Sequence, residues 1–336
     1  MNQHAETVPQ PQVVPHLQTA RYGWIGLGNM GGPMTGNLVA AGHQVRGFDL
    51  DEETMQEAAE RGVTPAASIA EAVEGSDVVF TMLPKGEHVR SVFGGPGGIF
   101  EHAGAQTLLI DSSTVDIETS RWCHREAQER GFRFVDAPVS GGISGAAAAT
   151  LTFMLGGEPD AVAEAAPYIA PMAGNTIPAG DAGAGIAAKL ANNMMRGISL
   201  VAAAEGSQLA DRLGLDPKVF WEIVSVSSGR SWAQQTWYPV PGIVDSAAAN
   251  NDYEATFRAD LALKDLSLAL QAGKAAGLNL RGAELVTEQL EALVEEGLAH
   301  KDCSLITKHV TPDGSAPGYR NAEPQTSASG TAAAAA

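Results

Sequence analysis

Tyr22-Gly-Trp-Ile-Gly26-Leu-Gly28-Asn-Met-Gly31, followed after a helix-like segment by Val45-Arg-Gly-Phe-Asp49, is the stretch from which the fold can be read. Tyr22–Leu27 and Val45–Asp49 have the short apolar make-up of buried strands, and Pro33 and Gly42 bracket a helix between them. A G-x-G-x-x-G pattern joins the first strand to that helix. Gly26 permits the tight turn, Gly28 lets backbone N–H groups approach a pyrophosphate, and Gly31 lets the helix pack against the strand. Leu27, Asn29 and Met30 complete the loop. The helix N-terminus turns its partial positive charge toward the phosphates. Asp49 closes the second strand about 20 residues on, where a carboxylate binds ribose hydroxyls. In a chain with 38 glycines the motif alone is weak. Strand, motif, helix, strand and acid in that order make it a dinucleotide site. Asp51, Glu52 and Glu53 follow and no arginine does, so a 2′-phosphate is repelled and NAD is expected rather than NADP.

Working outward, Asp77–Met82, Thr107–Asp111, Phe132–Asp136 and Leu151–Leu155 read as further strands. Asp51–Arg61, Asp116–Arg130 and Asp160–Ala170 read as helices between them. Such alternation implies an α/β fold, a doubly wound Rossmann sheet with helices on both faces. After Asp181 the pattern changes. Apolar residues recur at helical spacing through Ile186, Leu190, Met194, Ile198 and Val201, then in Phe257–Gly273 and Ala283–Gly297. The expected organisation is a dinucleotide-binding domain over 21–181, joined by a long helix to an all-helical domain over 182–310. Residues 1–20 and 311–336, polar or rich in Pro, Gly, Ser and Ala, are expected to be disordered tails.

Composition narrows the function. A formal charge of −18 without a Lys/Arg stripe excludes nucleic acid and anionic membranes as partners, and no stretch of about 18 apolar residues spans a bilayer. A small anionic substrate is still allowed, because one or two local cations override the net field. Cys123 and Cys303 lie far apart, fitting two small buried residues in a reducing compartment, the cytoplasm. The histidines, His102, His124, His300 and His309 among them, lack metal-ligand spacing, and no metal is expected. His124 falls on a helix expected to be exposed.

Taken with later stretches, Gly26–Gly31 resembles the β-hydroxyacid dehydrogenases. The matches are Pro33-Met34, Asn37-Leu38 and Ala41-Gly42-His43, and Asp136-Ala-Pro-Val-Ser140-Gly141-Gly142 with Gly145-Ala146 and Thr150-Leu151-Thr152. They continue with Gly185-x-x-x-Lys189-x-x-Asn192-Asn193 and Lys264-Asp265-Leu266. The resemblance spans about 22–310. Ser227-Ser-Gly-Arg-Ser-Trp232, Pro239-Val-Pro241-Gly242 and Ala249-Asn-Asn251 with Tyr253 and Phe257 look like the 3-hydroxyisobutyrate branch of that family. The resemblance implies oxidation of 3-hydroxyisobutyrate to methylmalonate semialdehyde in valine degradation. Tartronate semialdehyde/D-glycerate or 3-hydroxypropionate chemistry is the alternative, and a non-catalytic NAD sensor a third reading. It also implies a homodimer or homotetramer, with 182–310 as the substrate and dimerisation domain.

Roles follow from the same resemblance. Lys189 is the catalytic position and Asn193, one helical turn later, orients the small hydroxyacid. An isolated lysine ordinarily snorkels from a solvated face. Here its apolar neighbours predict a buried helix, where desolvation and a cationic nicotinamide favour the neutral base that takes the hydroxyl proton. Ser140, Gly141 and Gly142 offer a hydroxyl and approachable N–H groups to a carboxylate. Leu83 and Pro84 are expected on the adenosine side, Thr114 nearer the nicotinamide, and Lys264 over the cofactor. Two departures stand out: His88 replaces a frequent Asn, and Ala149 replaces the glycine before Thr150.

Overall fold

The computed structural model describes residues 19–320. Of the tails expected over 1–20 and 311–336, residues 1–18 and 321–336 lie outside the described residues. Nine strands form one sheet: β1 (Arg21–Ile25), β2 (Gln44–Phe48), β3 (Thr64–Pro65), β4 (Val78–Thr81), β5 (Leu108–Asp111), β6 (Arg133–Asp136), β7 (Val139–Ser140), β8 (Leu151–Gly156) and β9 (Ala173–Gly180). The order β3-β2-β1-β4-β5-β6 is parallel throughout; β8 then pairs antiparallel with β6 and β7, and parallel with β9. The doubly wound sheet expected from the alternation is present. Three strands were not legible: β3 and β7 are two residues each, and β9, Ala-Gly-Asn-Thr-Ile-Pro-Ala-Gly, is mostly exposed and carries no hydrophobic alternation.

The helices are α1 (Gly31–Ala40), α2 (Glu52–Glu60), α3 (Ile69–Val73), α4 (Gly86–Gly94), α5 (Ile99–His102), α6 (Ile117–Glu129), α7 (Gly142–Ala147) and α8 (Pro159–Ile169). After them come α9 (Ala184–Arg212), α10 (Pro217–Ser225), α11 (Trp232–Thr236), α12 (Ala259–Ala275) and α13 (Arg281–Glu295). Their ends follow local chemistry. Asp51 and Asp116 accept from Thr54 and Thr119 to cap α2 and α6, and Gly62 and Gly131 take left-handed φ just past their ends.

Among the described residues two compact units result: 19–194 together with Asp265–Leu280, and Met195–Lys264 together with 281–320. The division does not follow the change of sequence pattern at 181. In the first unit each sheet face has its own core. Trp24 stacks on Phe80 with ring centroids 4.9 Å apart on one face. On the other, Ile186 and Leu190 of α9 and Ala269 of α12 join Val79, Phe93 and Leu109. Burying a Leu or Ile side chain stabilises by roughly 1.5–3 kcal/mol, enough to bind the start of α9 to the sheet.

The second unit is helical. Asp302, wholly buried, accepts from the backbone and hydroxyl of Thr256, the Phe257 amide, and the backbone and hydroxyl of Ser304. Arg196 lies over the rings of Phe257 and Trp237 at 4.5 and 5.2 Å. Residues 311–320, expected within the C-terminal disordered tail, are packed instead. Tyr253 donates to the Pro317 carbonyl, and the Arg320 amide donates to Asp252, so 311–320 are tied to this unit. At the N-terminal side Ala20 is likewise buried. Ala149 in the first unit adopts φ +55°, a conformation costing an L-residue about 1–2 kcal/mol.

Candidate active site

The glycine loop leaves β1 at Gly26 and enters α1 at Gly31. Gly26 has φ +96°, and a Cβ there would lie 2.3 Å from the Met82 carbonyl oxygen. At Gly31 a Cβ would lie 2.0 Å from the Gly26 carbonyl oxygen, which accepts from the Trp24 indole at 2.8 Å. The two glycines thus let the turn close on itself. Gly28 differs: it is exposed, and a Cβ there meets nothing within 4 Å. Asn29 is exposed and Met30 half-buried beside it. No side chain caps the start of α1. Asp49 follows β2 and accepts from the amides of Leu27 at 2.7 Å and Asp51 at 3.1 Å. Its oxygens keep lone pairs for ribose hydroxyls. A closed turn, open space at Gly28, uncapped amides and an anchored carboxylate fit a dinucleotide.

Neighbouring strand ends are bonded to one another. The hydroxyl of Thr81 and the amide of Ser113 donate to Asp111, and the Leu83 amide donates to the Ser113 hydroxyl. This fixes Leu83 relative to β5; Pro84 is exposed and Thr114 half-buried after β5. Burial pushes the Asp111 carboxyl up to about 6, against the bonds from Ser113 and Thr81, with Asp136 adding to the rise. The unfolded value is 3.8. The native state therefore binds this proton more tightly, and stability is lost as pH rises from about 4 to about 6. At neutral pH the ionised group costs roughly 3 kcal/mol. Asp111→Asn keeps an acceptor oxygen without the charge. It is expected to raise stability by roughly 1–3 kcal/mol at pH 7.5, and the gain should vanish near pH 4. Denaturant melts at the two pH values check this; a gain independent of pH contradicts it.

Ser140 ends β7 opposite Thr152, and the chain then turns through Gly141 at φ +140° and Gly142 at φ +66°. Both glycines are exposed, and a Cβ on Gly142 would meet nothing. The Asn37 side chain on α1 donates to the Ala146 carbonyl at 2.7 Å, tying the glycine-loop helix to α7. Lys189 and Asn193 lie on α9, Lys189 only 6% exposed and Asn193 fully buried. Asn192 donates to the Asn193 side-chain oxygen at 3.3 Å, and Asn193 donates to Asp265 at 2.7 Å. Asp265 is itself buried and orients the amide of Asn193. Its signal was present in the Lys264-Asp265-Leu266 stretch, where only the lysine had been singled out. Lys264 falls at the edge of the second unit.

His124 corrects a sequence expectation. Its side chain is 11% exposed, and Nε2 lies 2.6 Å from the buried Asp136 carboxylate. The periodicity of α6 places Ser120, Cys123 and Ala127 inward, and His124 flanks that stripe. His88 is exposed, with Nε2 3.8 Å from Glu87. Cys123 and Cys303 are buried and form no disulfide; burial pushes the Cys123 thiol up. Among the described residues no His/Cys/Asp/Glu group is arranged for a metal, and no helix is long and apolar enough to cross a membrane.

Known proteins resemble this chain over most of its length. Residues 21–180 match the NAD-binding domain of 6-phosphogluconate dehydrogenase, and residues 183–310 match the NAD-binding segment of NADP-dependent 3-hydroxyisobutyrate dehydrogenase. The NAD-dependent L-serine dehydrogenase of Pseudomonas aeruginosa is 39% identical over 289 residues, 86% of this chain and 97% of that one. The 3-hydroxyisobutyrate dehydrogenase of the same organism is 44% identical over 247 residues, 74% and 83% of the two chains. The solved Mycobacterium tuberculosis 3-hydroxyisobutyrate dehydrogenase with L-serine superposes with a TM-score of 0.82 at 41% identity, covering 87% of this chain and 99% of that one. NAD is the cofactor of the family whose domains these residues match. With loop, strand order and sequence in agreement, the chain belongs to the 3-hydroxyisobutyrate dehydrogenase family of β-hydroxyacid dehydrogenases.

Proposed function

We propose that the chain oxidises 3-hydroxyisobutyrate to methylmalonate semialdehyde with NAD, as a step of valine degradation. The observation that carries this reading is a buried amine, Lys189, on the same helix face as the buried Asn193–Asp265 pair. A lysine serving only solubility keeps its head in water. Gly26–Gly31, Asp49, Leu83, Pro84, Thr114 and Lys264 would hold the dinucleotide, which when bound supplies the two-electron acceptor. The Ser140 hydroxyl and the amides of the Gly141-Gly142 turn hold the substrate carboxylate. The amide of Asn193 hydrogen-bonds the substrate, and the Lys189 Nζ accepts the hydroxyl proton as the carbinol carbon becomes a carbonyl.

L-Serine is the second reading, favoured by the L-serine dehydrogenase among the relatives. It offers the same primary alcohol and carboxylate, with an amine in place of the methyl group. Rates of NADH formation on 3-hydroxyisobutyrate, L-serine, D-glycerate and 3-hydroxypropionate separate the readings. The expected result is the highest kcat/KM on 3-hydroxyisobutyrate; a tenfold preference for L-serine overturns it. The acidic run after Asp49 sets the NADP control, with kcat/KM expected at least about 100-fold below that with NAD.

Leu209, Leu213, Ile223 and Val226 of the helical unit are exposed, Val226 by 87%. Exposed apolar side chains on this unit fit burial against a second copy of this chain, giving a homodimer or homotetramer. Sedimentation showing only monomer at micromolar concentration contradicts that assembly. Two buried cysteines without a disulfide favour a cytoplasmic site of action.

A further inference from the structure

Asp136 ends β6, four residues before Ser140, with no exposed surface. Its two oxygens accept three hydrogen bonds. Oδ1 takes the Gly183 amide at 2.9 Å and His124 Nε2 at 2.6 Å, and Oδ2 takes the Ile186 amide at 2.9 Å. Gly183 and Ile186 bracket the start of α9, where amides have no acceptor within the helix. A strand carboxylate therefore caps this helix from outside, and its charge suits the positive end of the dipole.

The approach leaves no slack. A Cβ on Gly185 would lie 2.3 Å from the Met154 carbonyl oxygen and 2.8 Å from Asp136 Oδ2; one on Gly156 would lie 2.5 Å from Asp136 Oδ1. The first turn of α9 is thus seated on β6 and β8 at backbone distance. Lys189 stands one turn beyond Gly185 on the same face, so its height and rotation are set by that seat. Asp136 also opens the segment that runs to Ser140-Gly141-Gly142. One buried carboxylate fixes both the helix of the amine and the root of the substrate turn. His124, reaching from α6 with its ring edge-on to Phe134 at 4.7 Å, supplies the third donor.

We propose that Asp136 and His124 are positioning residues that hold the Lys189 amine in register with the Ser140–Gly142 turn. The inference rests on the reading of Lys189 as the proton acceptor. Without His124 the carboxylate keeps two of its three donors in a dry site, and an under-satisfied buried charge moves to find another. A displacement of about 1 Å at the reacting amine is enough to slow chemistry by roughly 100-fold.

The test compares His124→Leu, His124→Gln, Asp136→Asn and Lys189→Ala in the full chain. The measurements are NADH formation, the isotope effect with hydroxyacid deuterated at the carbinol carbon, NADH affinity, and amide exchange without cofactor. His124→Leu and Asp136→Asn are expected to lower kcat about 10–100-fold with KM and NADH affinity within about threefold of wild type. The isotope effect should rise, and the Gly183 and Ile186 amides should exchange at least about tenfold faster. His124→Gln, whose amide nitrogen takes the place of Nε2, should restore kcat to within about threefold. Should His124→Leu not fold, His124→Asn, too short to reach Asp136, replaces it in the comparison. Wild-type turnover in both His124→Leu and Asp136→Asn beside an inactive Lys189→Ala overturns the inference alone. So does a loss shared equally by kcat, KM and NADH affinity with no rescue by Gln. Wild-type turnover in Lys189→Ala removes the catalytic reading and this inference with it.

Discussion

Lys189→Ala is expected to lose NADH formation by about 10³-fold or more while binding NADH within about threefold of the wild type. The side chain is buried on α9, whereas the dinucleotide loop is built from β1, α1 and β2, so the two functions rest on different elements and separate in assay. Two terms enter the loss. Removing the base forfeits general-base catalysis, which by itself is worth about 10²–10⁴-fold. Removing the long stem leaves a cavity, which costs stability rather than chemistry. Lys189→Met separates them, because it refills the volume without an amine. It should match Lys189→Ala in rate and exceed it in melting temperature. Turnover near wild type in either variant would falsify the assignment of Lys189 as base.

The second large effect is expected at the glycine loop. In Gly31→Ala the new methyl would lie 2.0 Å from the Gly26 carbonyl oxygen and 2.9 Å from the Trp24 indole nitrogen. Backbone cannot yield as a flexible side chain does, so α1 must move off β1 and the Trp24–Gly26 bond must break. Overpacking of this kind costs about 1–3 kcal/mol, and the displaced amides no longer converge on a pyrophosphate. The NAD dissociation constant is expected to rise at least about 100-fold, with a fall in melting temperature. Gly28→Ala is the informative partner. Its methyl touches nothing in the protein, so folding should be unaffected, yet it occupies the space a phosphate needs. Binding weakened in both variants, with stability lost only in Gly31→Ala, is the expected pattern; wild-type NAD affinity in Gly31→Ala contradicts this account of the loop.

These two sites were legible in the sequence for different reasons. The turn from β1 to α1 and the acid at Asp49 depend on local spacing, which periodicity and glycine placement report directly. Lys189 and Asn193 stood out through the family resemblance, and their four-residue spacing adds only that both share one helix face. What escaped notice depends on partners far along the chain. Asp265 meets Asn193 across 72 residues. His124 meets Asp136 across only 12, but from a helix position that periodicity leaves at the edge of its buried stripe. The seating of Gly185 on Asp136 has no local signature either, although that glycine opens the stretch containing Lys189. Strands β3 and β7 are too short to show a period. The association of 265–280 with the sheet arises from packing of side chains such as Ala269, which hydropathy along the chain does not encode. His124 and Asp265 share one feature: both orient a group that was itself readable.

The most direct measurement is a crystal structure of the full chain with NAD and 3-hydroxyisobutyrate or an unreactive analogue. The proposed chemistry requires the Lys189 Nζ within about 3.2 Å of the substrate hydroxyl, with the carboxylate on the Ser140–Gly142 turn. A closed complex that seats the hydroxyacid elsewhere, with that amine turned to solvent, contradicts it.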